Sequence, residues 1–300
     1  NLVVVKIKIN HARMSPPERI PELFSVGGDL TVENNDNMTI FDLTGLFSVG
    51  GHLDVAANPV LLSLQFPKLA STGDYLRIYR GSDLTSFEFP SLKSVGGRLG
   101  VMKNDSLPSF DLPALSSVGG YVEVNGNDTL ASFKLSALKT VEKSLSLKSN
   151  LALQSFEVSA LTEVGDFLSL NSNNTLTSFA FPALSETGSY LVLEKNDALT
   201  TFSLPALTAV GSTLHITQNA SLSSFDLSAL VSLGSDLTLY ENDALAQCLV
   251  DALVSQIQAG AGIGGSIAFC WDPGPGCAGS SNNTNCTCSE ASGALVADCP

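Results

Sequence analysis

The chain has 300 residues with 15 basic against 29 acidic side chains, giving a formal charge of −14 and a pI near 4.4. That excess argues against direct nucleic-acid binding and against docking on anionic lipid. Mean hydropathy is positive at +0.24, but the apolar residues come in spaced pairs and never in the run of about 18 that a spanning helix needs, so no membrane span is expected.

The opening stretch "NLVVVKIKIN" reads as one long alternating strand of a degenerate first coil over residues 1–29. Ile7, Ile9, Ile20, Leu23, Val26 and Gly27 hold, one coil early, the register of everything that follows. The chain starts inside this strand with no leader and no polar cap. Leu2, Val3, Val4, Val5, Ile7 and Ile9 are therefore expected to form an assembly edge, covered by sequence removed before residue 1 or by a neighbouring molecule.

From there one phrase recurs. Leu30, Leu53, Leu76, Leu99, Val122, Leu145, Leu168, Leu191, Leu214 and Leu237 each follow the last by 23 residues without an insertion, which predicts one continuous array, not two domains. A second apolar residue two positions on (Val32, Val55, Ile78, Val101 and so forth) predicts a short strand with one face inward. Eleven positions after the anchor come Phe41, Leu64, Phe87, Phe110, Phe133, Phe156, Phe179, Phe202 and Phe225, again with an apolar residue two on. This predicts a second strand, often ended by a proline (Pro67, Pro90, Pro113, Pro182, Pro205) that has no N–H for a ladder. Sixteen positions after the anchor stands a leucine (Leu46, Leu69, Leu92 through Leu230), then Val, Thr or Leu three later; either a third side or a short helical turn fits that gap. No repeat has room for a long helix. The expected fold is an all-β solenoid, a right-handed β-helix or leucine-rich-repeat-like array of about ten 23-residue coils over residues 1–245. With coils about 4.8 Å apart it makes a rod on the order of 50 Å long.

Asparagine fills the sixth place of the strand phrase at Asn35, Asn58, Asn104, Asn127, Asn150, Asn173, Asn196, Asn219 and Asn242, with Gly81 the exception. An inward asparagine can bond backbone groups freed where a strand bends, so stacked copies predict a ladder. The L-x-V-x-x-N pattern resembles the L-x-L-x-x-N core of leucine-rich repeats. The S-F-x-[FL]-P-x-L-x-x-V-G half is similar to the receptor L domains of the insulin and EGF receptor families, and to the repeats of fungal GPI-anchored cell-wall proteins. The resemblance spans roughly residues 1 to 245. It implies a solenoid with a stiff surface at the cell exterior, and it transfers no ligand-binding residue, because no matching motif is present.

Residues 246–300 read as a C-terminal cap. Leu245, Leu249, Leu253 and Ile257, with Val250 and Val254, fit an amphipathic lid helix ending near Gly260. All six cysteines lie here, Cys248, Cys270, Cys277, Cys286, Cys288 and Cys299, and predict a disulfide-rich tail and an oxidising compartment. Zinc is the competing reading, disfavoured by a single Cys-x-Cys with no histidine nearby. Six cysteines allow about 15 pairings; Cys248 with Cys270 is preferred. Sequons begin at Asn37, Asn104, Asn127, Asn173, Asn219, Asn282 and Asn285. A ladder asparagine cannot carry a glycan, so Asn37, Asn282 and Asn285 are favoured over Asn104, Asn127, Asn173 and Asn219.

Catalytic groups are sparse. His11, His52 and His215 fall at unrelated repeat positions, and the recurrent serines (Ser63, Ser86, Ser109 and onward) read as structure because every coil has one. The outward position of the first strand, from Thr31 and Asp54 to His215 and Thr238, has no flat threonine row for binding ice. Glu88 and Asp111, one coil or about 5 Å apart, are weak calcium candidates. A β-helix enzyme acting on polysaccharide usually has a long inserted loop, and this register has none. The expectation is a non-catalytic, cofactor-free, secreted or cell-surface protein with a rigid structural or adhesion surface. Outward residues such as Arg77, Tyr79, Arg80 and Tyr240 would bind a protein or glycan partner. The alternatives are an extracellular filament assembled end to end through the N-terminal edge, and a ligand-binding receptor ectodomain.

Overall fold

The computed structural model describes residues 2–4, 7–10, 18–19, 23–270, 287–291 and 294–298, with side chains for residues 8 and 23–268. Each coil from Leu23 to Asp226 lays down three short strands. The first sheet stacks two-residue strands such as Ser48–Val49, Ser71–Thr72 and Ser94–Val95. The second stacks Leu30–Glu33, Leu53–Ala56, Leu76–Tyr79 and their successors. The third stacks Ile40–Asp42, Ser63–Gln65, Ser86–Glu88 and onward. The side that the sequence left open between strand and helical turn is thus a strand, and its second residue (Val49, Thr72, Val95) points inward. Pairing is parallel and in phase: Leu76 lies between Leu53 and Leu99, and Ile78 between Val55 and Val101.

The first and second sheets each run through 12 strands in sequence order, whereas the third is split into pieces of 4, 3 and 3. Its first break falls at Pro108. Thr85 N–H donates to the Leu62 carbonyl at 3.0 Å and Ala131 N–H to the Pro108 carbonyl at 2.8 Å. Proline has no hydrogen to give at the same place.

The interior is filled by rows of leucine and by a phenylalanine stack. Phe87, Phe110, Phe133, Phe156, Phe179, Phe202 and Phe225 follow one another with ring centroids 5.1 to 5.9 Å apart, close to the strand spacing. Burying one such leucine or phenylalanine is worth about 1.5–3 kcal/mol. A coil secures that only when another coil sits on each side. The glycine after each inward valine marks the closest approach of coils: a Cβ on Gly96 would lie 2.2 Å from the Gly73 carbonyl oxygen. Among the described residues Glu142 is the one side chain this row admits.

Each strand of the second sheet from Leu30–Glu33 to Leu237–Tyr240 leaves through a residue with positive φ, 55° at Arg80, 54° at Lys103 and 56° at Lys195 for example, and only Gly126 among these is a glycine. The left-handed turn costs roughly 1–2 kcal/mol at a residue with a side chain. It swings the next residue, the row asparagine, inward, and those from Asn35 to Asn242 are 0 to 1% exposed. Asn127 N–H donates to Asn150 Oδ1 at 3.2 Å; its Nδ2 donates to the same oxygen at 3.1 Å and to the Val101 carbonyl at 2.9 Å. Similar bonds link Asn104 with Asn127 and Asn219 with Asn242. Gly81 interrupts the row. Its N–H still donates to Asn104 Oδ1 at 3.1 Å, but it has no amide to serve Asn58.

One expectation needs correction. "NLVVVKIKIN" is two strands, Leu2–Val4 at the end of the first sheet and Ile7–Asn10 at the end of the second, paired with Leu23–Val26 and Leu30–Glu33. The stretch turns a corner because, like every later coil, it must serve two sheets. The expected helix near the C-terminal end is α1, Gln247–Ala259, and the chain runs on past it into two further strands. Gly262–Ile263 rejoins the first sheet beside Ser232–Leu233, and Ile267–Cys270 rejoins the second beside Leu237–Tyr240. The helix therefore takes the place of a third-sheet strand, and the paired sheets run on to Cys270. It turns Leu249, Val250, Leu253 and Ile257 inward. Gln256 Nε2 donates to the Leu227 and Leu230 carbonyls, at 2.8 and 2.7 Å, beside the end of the third sheet. A hairpin of Thr287–Ala291 and Ala294–Asp298 packs near α1.

Asn150→Ala removes the acceptor of the Asn127 N–H and the donor to the Val124 carbonyl, both buried. Urea unfolding is expected to show a loss of about 2–5 kcal/mol. Thr187→Val deletes a buried hydroxyl that has no partner and installs the residue found at Val164 and Val210. The same measurement should show a gain of about 1 kcal/mol.

Candidate interaction surface

Side chains at the same repeat position stack in columns on the outer face of the second sheet. In the strand Leu76–Tyr79, Leu76 and Ile78 fill the core while Arg77 and Tyr79 face out, flanked by Tyr75 and Arg80. The preceding coil places His52 and Asp54 beside them and the following coil places Arg98 and Gly100.

Arg77 Nε donates to Asp54 Oδ1 at 2.9 Å and Nη2 to Oδ2 at 2.5 Å, a two-point clamp on a side chain that is 6% exposed. This bond is the main reason the Arg77 pKa is raised. The guanidinium carbon lies 6.0 Å from the centre of the Tyr75 ring and 5.2 Å from that of Tyr79, and the Arg80 guanidinium lies 4.9 Å from Tyr79. His52 stacks on Tyr75 at 4.3 Å with planes 6° apart, and its Nδ1 is 3.1 Å from an Asp29 carboxylate oxygen. Arg98 Nε lies 3.2 Å from Glu123. Burial, and next the charge of Asp54, raise the Tyr75 pKa, so at neutral pH its hydroxyl is a neutral donor and acceptor. Gly100 carries no side chain in the column between Arg77 and Glu123, and the Arg98 and Met102 side chains close over it. Beside it opens a cleft of about 290 Å³ lined by Asp74, Tyr75, Arg77 and Arg98.

The structure brings Arg77, Tyr79 and Arg80 together; Tyr240 lies on the same sheet at its far end. His52, Asp54, Tyr75 and Arg98 were missed by reading one coil at a time, although 52, 75 and 98 are one repeat apart, as are 54, 77 and 100. Glu88 and Asp111 end exposed third-sheet strands on the two sides of its first break. Asp111 instead pairs across to Lys134, whose Nζ is 3.6 Å from Glu157. Among the described residues no group of three or more His, Cys, Asp or Glu side chains is placed to hold a metal ion, and no helix is long and apolar enough to cross a membrane. A second groove of about 350 Å³ is lined by Lys195, Asp197, Gln218, Ala220, Glu241 and Asp243. Near it His215, whose pKa burial lowers, lies 3.0 Å from the Thr217 hydroxyl.

Asn37 is exposed, while Asn104, Asn127, Asn173 and Asn219 are buried in the ladder. Asn282 and Asn285 lie outside the described residues, as do Cys277, Cys286 and Cys299. Cys248, in the first turn of α1, is disulfide-bonded; the side chain of its expected partner Cys270 lies outside the described ones. The side chains of Leu2, Val3, Val4, Val5, Ile7 and Ile9 also lie outside them.

Arg77→Ala strands a buried carboxylate and is expected to cost about 1–3 kcal/mol in urea unfolding; Arg77→Ala/Asp54→Ala, which removes both charges, should cost less than the single change.

Comparison with known proteins finds no family model, no curated protein and no solved structure that matches this chain.

Proposed function

We propose that the protein is a non-catalytic secreted or cell-surface solenoid, whose outer second-sheet face around Tyr75–Arg80 is an interaction surface for a protein or glycan. The observation that carries this reading is the clamp of Arg77 on Asp54 between two tyrosines. Large polar and aromatic side chains lose conformational entropy when they bind, and here it has been lost in advance. Arginine and tyrosine are also enriched where proteins recognise partners. The likeness to receptor L domains and leucine-rich repeats belongs to the same reading: one short coil per repeat, an inward asparagine and a variable outer face. The cysteine-rich tail and the sequons fit an oxidising, glycosylating compartment.

Surface biotinylation of cells making the native chain, followed by glycopeptide mass spectrometry, tests the reading. Labelled protein with glycan on Asn37 and none on Asn104, Asn127, Asn173 or Asn219 is expected, because each ladder amide is buried and already bonded. Recovery of the chain solely from the cytosol, reduced and without glycan, would overturn it.

A further inference from the structure

The cleft beside Gly100 has a chemistry that selects among ligands. Its cations are already satisfied: Arg77 is held by Asp54 and Arg98 by Glu123. An anion arriving there would have to displace a carboxylate that is in place, and the lining also contains Asp74. A cation would meet Arg77 and Arg98. What remains on offer is a set of fixed hydrogen-bonding edges: guanidinium N–H groups that donate, the Asp74 carboxylate that accepts, and the Tyr75 hydroxyl that does both.

The aromatic geometry adds a second restriction. The Tyr75 ring lies parallel to His52 of the preceding coil at 4.3 Å, so its other face is turned toward the following coil, where the cleft lies. An aromatic face with donors and acceptors around it matches a ring that is apolar on its C–H face and polar at its rim. The volume of about 290 Å³ is at the lower bound of the roughly 300–1,000 Å³ of small-molecule sites. It admits a sugar ring and excludes a folded peptide.

We infer that this cleft binds a neutral saccharide, one ring seated on Tyr75 with its hydroxyls shared among Asp74, Arg77 and Arg98. The inference rests on the interaction surface proposed above and names what that surface takes. Gly100 lets the Arg98 side chain, which lines the cleft, lie across it. A Cβ there would meet Met102 Cε at 3.1 Å and the Arg98 Nε and Nη2 at 3.2 and 3.3 Å. These are ends of flexible side chains, so a larger residue folds but pushes Arg98 from its place in the cleft lining.

The test is calorimetric and NMR titration of the full chain with neutral hexasaccharides of glucose, mannose and N-acetylglucosamine, beside a polyuronate hexamer and a heparin hexasaccharide. A neutral probe is expected to bind with a submillimolar Kd, and Tyr75→Ala, Asp74→Asn and Gly100→Leu are each expected to weaken it by about tenfold or more. Gly100→Leu removes no polar group, and an unchanged melting temperature shows that it folds. Binding of an anionic probe alone, silence from every neutral probe at about 10 mM, or full binding by Gly100→Leu would each overturn the saccharide site. A chain that reaches the cell surface yet binds none of the sugars overturns this site and leaves the wider reading standing; a chain confined to the cytosol overturns the wider reading.

Discussion

At the corners after the second-sheet strands from Leu30–Glu33 to Leu237–Tyr240 the backbone turns through positive φ, and at all but Gly81 a single asparagine amide closes the groups that the turn leaves inside the rod. Stacked left-handed residues, nearly all with side chains, are a cost of roughly 1–2 kcal/mol each. Against this stand up to three buried hydrogen bonds per asparagine, each worth about 1 kcal/mol net and more expensive to lose than to make. Because each Oδ1 serves the coil before it, no coil is satisfied alone. The same holds for the leucine rows and the phenylalanine stack, so polar and apolar terms enforce one pitch and one register.

That register is what turns a repeat into a surface. Core rows hold the coil, which frees the outer positions to vary, and residues 23 apart are forced into contact distance. Asp54 with Arg77, Asn171 with Glu194 and Gln218 with Glu241 are all such column neighbours. The clamp on Asp54 and the cleft between Tyr75 and Arg98 are both products of stacking, and neither exists within one coil.

The fold was legible wherever a row has one chemical character. Leucine at the anchor, phenylalanine in the second strand and asparagine at the bend each carry the period without help. The positive-φ row was not legible, because Arg80, Lys103, Ser149 and Glu241 share no side-chain signal and the glycine that would announce the turn occurs only at Gly126. The two-residue strands are too short for alternation to reveal them. Helix periodicity located α1, but its role as a substitute strand depends on Gly262–Ile263 and Ile267–Cys270 rejoining the sheets after it. At the candidate site Arg77, Tyr79 and Arg80 stood out within one strand. Their partners sit a coil away, where only the columns connect them.

Hydrogen exchange at the side-chain amides, followed by NMR on uniformly labelled protein, reaches the ladder directly. The Nδ2 protons of Asn104, Asn127, Asn150, Asn173, Asn196 and Asn219 are predicted to exchange as slowly as the backbone amides of the second sheet, since both open only when coils separate. Exchange of those protons at the rate of a free asparagine amide, with the backbone still protected, would contradict the ladder and the register built on it.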